Sequence, residues 1–512
     1  MNNIYENLGF WTNPFAHTNA DEEDYLKDYF IQPPYFDSVI GDYKSPSSCV
    51  ILAPRGGGKS AQRKMIEIWS QDHPVLAVTY DKFEFGPRQK VEDITLSYHL
   101  RNIITLTLLN IIIRASEKPE ILSSLPKNEK QQLNILCHNY LGDFTGREVK
   151  EVMSKLKTVP EKIKNFVETN IGFLEPLINY VLKTYDLEEI DIPELEQEKK
   201  KLDKSYKFQL ELLYEIARKL GFNSIYILID KVDETELTGN NAEDTFKLIR
   251  PLIRDLDTLS TRGYAFKFFL WDKVRPYYIK EARPDRIQEF RLEWKRSQLE
   301  TLLEKRVKAF SIKDIKNMRQ LFSQETDIDP DKVITVLAWL SPRNIIRFSD
   351  EILSQQTLID RDCNKIELKS LEKASQIFSE RVVQEMYEEE MVRDFKKVDR
   401  ELFTINYLSS NIFKISHANT SRNKVTKWEN AGAIKFIGTG KIEEAKRSVQ
   451  FYYFTDPKII RMINSKMPIV KFFEEKLSRC PNCDSDIFIS KDLVPIKAEL
   501  CCWNCESPIF KN

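Results

Sequence analysis

Eight residues near the start of the chain have the types and order needed to grip a phosphate. They are Ala53-Pro54-Arg55-Gly56-Gly57-Gly58-Lys59-Ser60. Glycines let successive backbone N–H groups turn inward around phosphate oxygens at a helix N-terminus. A lysine at Lys59 can reach β- and γ-phosphates, and a hydroxyl at Ser60 can ligate Mg²⁺. The expected nucleotide-contacting set is Arg55, Gly56, Gly57, Gly58, Lys59, Ser60 and Ala61. Alanine at Ala53 replaces the first glycine of G-x-x-x-x-G-K-S, which requires that its backbone avoid positive φ.

A second constellation lies far downstream, where Ser224-Ile225-Tyr226-Ile227-Leu228-Ile229 is an apolar run closed by Asp230 and followed by Lys231-Val232-Asp233-Glu234. A carboxylate at the tip of a buried strand is suited to holding Mg²⁺ through water, the role expected of Asp230. A third run, Ala265 to Trp271, ends in Asp272. There a polar group could touch a γ-phosphate or an attacking water. Arg283 and Arg286 follow and are candidates for reaching a neighbouring subunit's nucleotide, although most arginines are surface charges. Ser341-Pro342-Arg343 reads as a capped helix start, presenting Arg343 as a second γ-phosphate reader.

The C-terminus carries a different chemistry. Cys480-Pro481-Asn482-Cys483 and Cys502-Trp503-Asn504-Cys505 have C-x₂-C-x₁₈-C-x₂-C spacing. Four thiolates on two turns match a closed, structural Zn²⁺ site. Cys501 is a spare thiol that could compete with Cys502.

These residues need a scaffold. Cys49 to Leu52 reads as a strand feeding the glycine loop, and Ala61 to Trp69 as the helix leaving it. His73 to Asp81 supplies another strand. Phe208, Leu212, Ile216 and Leu220 repeat every four residues, marking a helix closed by Gly221. Between about 92 and 205 the pattern is helical with mixed charge, so a large helical insertion is expected. From about 395 the pattern changes. Glu401 to Leu408 and Ser421 to Trp428 read as helices. Ala433 to Ile437, a Gly438-Thr439-Gly440 turn, and Val449 to Phe454 read as a hairpin, completing a winged helix-turn-helix. Between Asn411 and Gln450 eight Lys/Arg face three Glu. Lys424, Lys427, Lys441, Lys446 and Arg447 would suit DNA phosphates, or form a solvated face of a protein-docking module.

Composition frames the rest. The 512 residues hold 77 Lys+Arg against 78 Asp+Glu, a formal charge of −1, which excludes a generally basic nucleic-acid coat. Apolar residues at 42% and charged residues at 30% exclude wholesale disorder. Only 15 glycines occur, and three are consecutive in the phosphate loop. The start of the chain lacks a basic, apolar leader. Ile103 to Ile113 is too short and too polar to span a bilayer. A cytoplasmic protein without a membrane partner is expected.

The Asn13-Pro14-Phe15 start, the Arg55–Ser60 loop, the Asp230-x-x-Asp233-Glu234 strand end and Ser341-Pro342-Arg343 resemble AAA+/STAND-type P-loop ATPases. More narrowly, they resemble origin-recognition-like bacterial ATPases associated with mobile elements and antiphage defence. The resemblance spans about residues 1 to 385. It implies an α/β fold with a five-stranded parallel core, a helical lid, Mg²⁺-ATP, and homo-oligomerisation at the nucleotide site. The expected layout is a P-loop core over 1–290, a lid over 291–390, a winged helix over 391–470 and a zinc ribbon over 471–512. In many such ATPases a glutamate follows the Mg²⁺ aspartate and polarises the attacking water. Lys231 stands there instead, so Asp233 or Glu234 takes the base role, or hydrolysis is slow. The expected catalytic set is therefore Lys59, Asp230, Asp233, Glu234, Asp272 and Arg343. Two functions fit: an ATP-hydrolysing, DNA-associated switch or assembly factor, and a slowly or non-hydrolysing scaffold that recruits a separate effector protein.

Overall fold

The structure is a computed structural model and describes residues 3–115, 121, 124–141, 205–415, 418–441, 447–494 and 498–509. Most of the expected helical insertion, and Lys446, lie outside the described residues. The chain divides into two compact units. One comprises Asn19–Lys27 and Gln32–Glu293, the other Met1–Thr18, Asp28–Ile31 and Trp294–Asn512.

The first unit is built on five parallel strands: β1 (Cys49–Ala53), β2 (Val75–Tyr80), β3 (Ser224–Ile229), β4 (Tyr264–Trp271) and β5 (Gln288–Arg291). Their order is β2-β3-β4-β1-β5, the five-stranded parallel core implied by the family resemblance. β1 and β3 are buried along their whole length, as expected of parallel strands covered on both faces. β5 escaped the sequence reading because it is a short edge strand in which only Phe290 is buried. Register sets the geometry at the carboxyl ends. Ala53 lies level with Trp271, whereas Ile229 lies level with Phe268. Thus β4 projects beyond β3 toward the glycine loop.

Helix Leu96–Ala115 is the one described helix long and apolar enough by composition to cross a membrane, and 67% of its apolar window is buried inside the protein. A helix apolar on all sides belongs in a core, and this one packs on β2 and on helix Tyr206–Lys219. The latter helix is capped by Ser205, with Leu212, Ile216 and Leu220 buried as expected. Phe208, at its first turn, is 38% exposed.

In the second unit the first residues of the chain are tied to later helices. Asn13 donates to Asp350 at 3.0 Å, Trp11 stacks on Phe310, and buried Arg306 donates to the Pro14 carbonyl. These contacts explain why the first 18 residues, expected with the P-loop core, cluster with 294–512 instead. A second sheet follows the order β12-β11-β7-β8-β6. Its strands are β6 (Leu402–Phe403), β7 (Ile434–Gly440), β8 (Val449–Phe454), β11 (Ala498–Cys501) and β12 (Pro508–Ile509), and β9 (Leu477–Arg479) pairs separately with β10 (Asp486–Phe488). Glu401 to Leu408 is not one helix: β6 precedes a helical turn capped by Thr404. Helix Ala418–Asn430 precedes hairpin β7–β8, and Trp428 packs among Phe395, Phe403, Phe413 and Phe454.

Gly438-Thr439-Gly440, expected as a turn, is the end of β7. The strand continues because these three residues pair with β8 on one side and β11 on the other. Gly438 has φ +144°, and a Cβ there would stand 2.0 Å from the Glu499 carbonyl oxygen. The glycine admits a neighbouring backbone rather than reversing the chain.

Candidate functional site

The glycine loop connects β1 to helix Lys59–Ser70. Gly56 and Gly58 adopt φ +71° and +100°, which side chains disfavour, and a Cβ on Gly57 would approach the Pro54 carbonyl to 2.8 Å. Ala53 needs no such freedom. It is the last residue of a fully buried strand and pairs with Trp271, so the departure from glycine leaves the loop intact. Lys59 folds back with Nζ 3.4 Å from the Ala53 carbonyl, and Ser60 and Ala61 are half-buried on the first helical turn.

Arg55 spans the loop. Its Nε donates to Asp233 Oδ2 at 2.8 Å, another guanidinium N–H reaches the Asp233 carbonyl at 2.8 Å, and a third bonds Asn240. The guanidinium lies 4.4 Å from the centre of the Trp271 ring. Asp233 is therefore buried and claimed by Arg55, while Glu234 is exposed.

Asp230, 1% exposed, is held from two sides. Arg63 Nε donates to Oδ2 at 3.0 Å, and the Lys231 backbone N–H donates to Oδ1 at 2.9 Å. Each carboxylate oxygen keeps a further acceptor site. This arrangement, with the Ser60 hydroxyl on the neighbouring helix, fits Mg²⁺ held through water.

The sequence reading missed Arg63, the hub of this cluster. Fully buried, it also bonds Glu67 and Asp21. The planar guanidinium, with five donors, bonds three carboxylates in different directions at once. Lys231 closes the cluster from the other side, with Nζ 2.8 Å from Asp21 and 3.3 Å from Asp81. Burial opposes both charges. Even so, Glu67, Asp230 and Asp21 raise the Arg63 pKa, and Asp21 with Asp81 raises that of Lys231. Burial likewise opposes the charge on Asp21, but Arg63 and Lys231 hold its carboxyl below the usual range. Lys231 has φ +58°. One signal was available in the sequence: Asp81 closes β2 as Asp230 closes β3, so two adjacent parallel strands end in carboxylates.

Asp272 immediately follows the residue level with Ala53. Its Oδ1 is buried without a hydrogen-bond partner. Burial raises its carboxyl pKa, opposed by Lys273 and Lys59. Arg283 makes two 3.0 Å bonds to Asp285, and both side chains are exposed. Arg286 is 67% exposed.

The structure thus brings together Arg55, Lys59, Ser60, Asp230, Asp233 and Asp272 around the carboxyl ends of β1, β3 and β4. Arg343 belongs to the other unit. It is exposed on the first turn of helix Pro342–Ile359, capped by Ser341, after Trp339 and Leu340 at φ +46° and +59°.

In that unit the basic residues divide into two groups. Lys424 pairs with Asp394, and Lys427 lies 2.8 Å from Glu388 and 3.5 Å from Glu390. Lys441 and Arg447, which flank the connection between β7 and β8, are exposed.

Cys480, Cys483, Cys502 and Cys505 place their sulfurs within 4.8 Å of one another. The two knuckles match. Cys480 and Cys502 each accept a backbone bond from the residue four positions on, Asp484 and Glu506, and these have φ +57° and +60°. Cys501 lies outside the group, and Cys502 is the thiol that joins the other three. Four convergent thiols on rigid turns fit a tetrahedral, closed-shell metal such as Zn²⁺.

Neither a family model nor a curated protein matches the chain. Among solved structures it is similar to the Aeropyrum pernix ORC1 protein in complex with DNA, with a TM-score of 0.35 and 9% identity, covering 89% of this chain and 97% of that one.

Proposed function

We propose that the chain is a Mg²⁺-ATP-dependent AAA+-type ATPase acting as a nucleotide-driven switch or assembly factor on DNA. One observation carries the nucleotide reading: a glycine loop with Gly56 and Gly58 at positive φ, at the end of the interior strand β1 and on the same sheet edge as the carboxylates that follow β3 and β4. Backbone N–H groups of Gly56, Gly58 and Lys59 would cradle the β-phosphate, with the Gly57 N–H tied to the Pro54 carbonyl, and Lys59 would swing from Ala53 to the β/γ-phosphates. Ser60 and Asp230 would hold Mg²⁺, which supplies charge neutralisation at the phosphates. Asp233 would act through Arg55, fixing the loop's outer edge rather than taking a proton. Glu234 is solvent-facing and least suited to the reaction. The four cysteines would bind Zn²⁺ as a structural clamp, and Lys441 and Arg447 would meet DNA phosphates.

A second reading, a nucleotide-gated scaffold with little turnover that recruits an effector protein, is favoured by Lys231. Lys231 stands at the usual base position in the sequence, and its ammonium is paired with Asp21 and Asp81. ATP turnover with and without duplex DNA, in wild type and Lys59→Ala, separates the two. DNA-stimulated turnover lost in Lys59→Ala supports the switch. Tight ATP binding without turnover supports the scaffold.

A further inference from the structure

We propose that Asp272 is the general base that activates the attacking water, a role that rests on the ATPase reading above. Three acidic groups compete for it. Asp233 is buried under Arg55, which bonds one of its carboxylate oxygens and its backbone carbonyl. Glu234 is exposed and lies on a short helical turn beyond Asp230. Asp230 receives Arg63 and the Lys231 N–H and is committed to the metal side of the site. Lys231 itself carries an ammonium with no acceptor lone pair.

Asp272 differs from all of these. One of its carboxylate oxygens is buried and makes no hydrogen bond, so no donor stabilises negative charge on that oxygen. Its position is also favourable. β4 runs between the P-loop strand and the acidic strand, and overshoots the latter. The residue after Trp271 therefore emerges beside the first residue of the loop, where Lys59 turns back. The charged groups acting on it are Lys273 beside it and Lys59 across the loop. Burial moves the carboxyl upward from its ordinary value, toward the basicity at which a base works best near neutral pH.

In the proposed step a water oxygen attacks the γ-phosphorus of ATP in line with the β,γ-bridging oxygen. Asp272 accepts one water proton as the new P–O bond forms. The bond from phosphorus to the bridging oxygen breaks, and its electron pair leaves with ADP. Inorganic phosphate is the second product, and protonated Asp272 returns its proton to it or to solvent. This assignment reconciles a lysine at the usual base position with hydrolysis.

The test uses the full-length chain with Mg²⁺ and ATP. It measures steady-state turnover together with affinity for a fluorescent ATP analogue. Asp272→Asn should lower turnover by roughly 100-fold or more, with analogue affinity changed less than about threefold. Retained affinity also reports that the variant folds. If Asp272→Asn fails to fold, Asp272→Glu should keep a measurable fraction of turnover. Glu236→Gln, an exposed carboxylate of the same loop outside the candidate site, should leave turnover within about twofold. Turnover preserved in Asp272→Asn, or lost in Glu234→Gln instead, overturns the assignment and leaves the ATPase reading standing. Wild-type binding of ATP without hydrolysis overturns it too. Failure of wild type to bind ATP removes the ATPase reading itself, a separate and distinguishable result.

Discussion

At the scale of single residues, the chemistry is carried as much by two cations as by the glycine loop. Arg63 is the only positive group that reaches Asp21, Glu67 and Asp230 together among the described residues. Removing one partner of a buried ion pair leaves the others uncompensated, at a cost of about 3–5 kcal/mol. Arg63→Met should therefore lower the denaturation midpoint sharply. Lys231 is about a quarter exposed, so Lys231→Met should cost considerably less. Equal losses in chemical denaturation would show that the cluster does not centre on Arg63. The phosphate loop itself was legible because glycine, lysine and serine must stand in that order for backbone groups to face an anion. Arg63 was not, since an arginine one turn beyond Lys59 looks in sequence like any solvated helix charge. Its burial depends on Asp21 and Asp230, far away along the chain.

At the scale of elements, long apolar runs announced β1, β2, β3 and β4, because a strand buried on both faces must be apolar throughout. β5 and the extended end of β7 gave no such signal, each existing because of its neighbour. Gly438 shows this most clearly. Read locally, Gly-Thr-Gly is a turn. In the fold it is the one place where β11 can lie against β7 without a side chain between them. Gly438→Ala would force a Cβ into the Glu499 carbonyl at a positive φ, costing about 2 kcal/mol or more. The loss should be local. Hydrogen exchange should quicken over β11 while β6 and the helix carrying Trp428 stay protected. Unchanged exchange in residues 498–501 would mean that β11 is held by the cysteine knuckle alone.

At the scale of the whole molecule, the question is how a chain of net charge −1 could engage DNA. The local count of basic residues between Asn411 and Gln450 suggested a broad phosphate-binding face, but the structure narrows it. Lys424 and Lys427 are already neutralised by Asp394, Glu388 and Glu390, partners a local charge count could not include. A lysine bound to its own carboxylates must give them up before it can displace a counterion from DNA, so it adds little to salt-dependent affinity. Lys441 and Arg447 are exposed beside the β7–β8 connection and have no carboxylate partner among the described residues. Each phosphate contact contributes about 0.9 to the slope of log affinity against log salt. The double variant Lys441→Ala with Arg447→Ala should therefore weaken duplex binding and reduce that slope by about 2. Lys424→Ala with Lys427→Ala should leave the slope unchanged and act on stability instead. A slope indifferent to the first pair and sensitive to the second would place DNA on the helix. A slope indifferent to both would make the module a protein-docking surface and favour the scaffold.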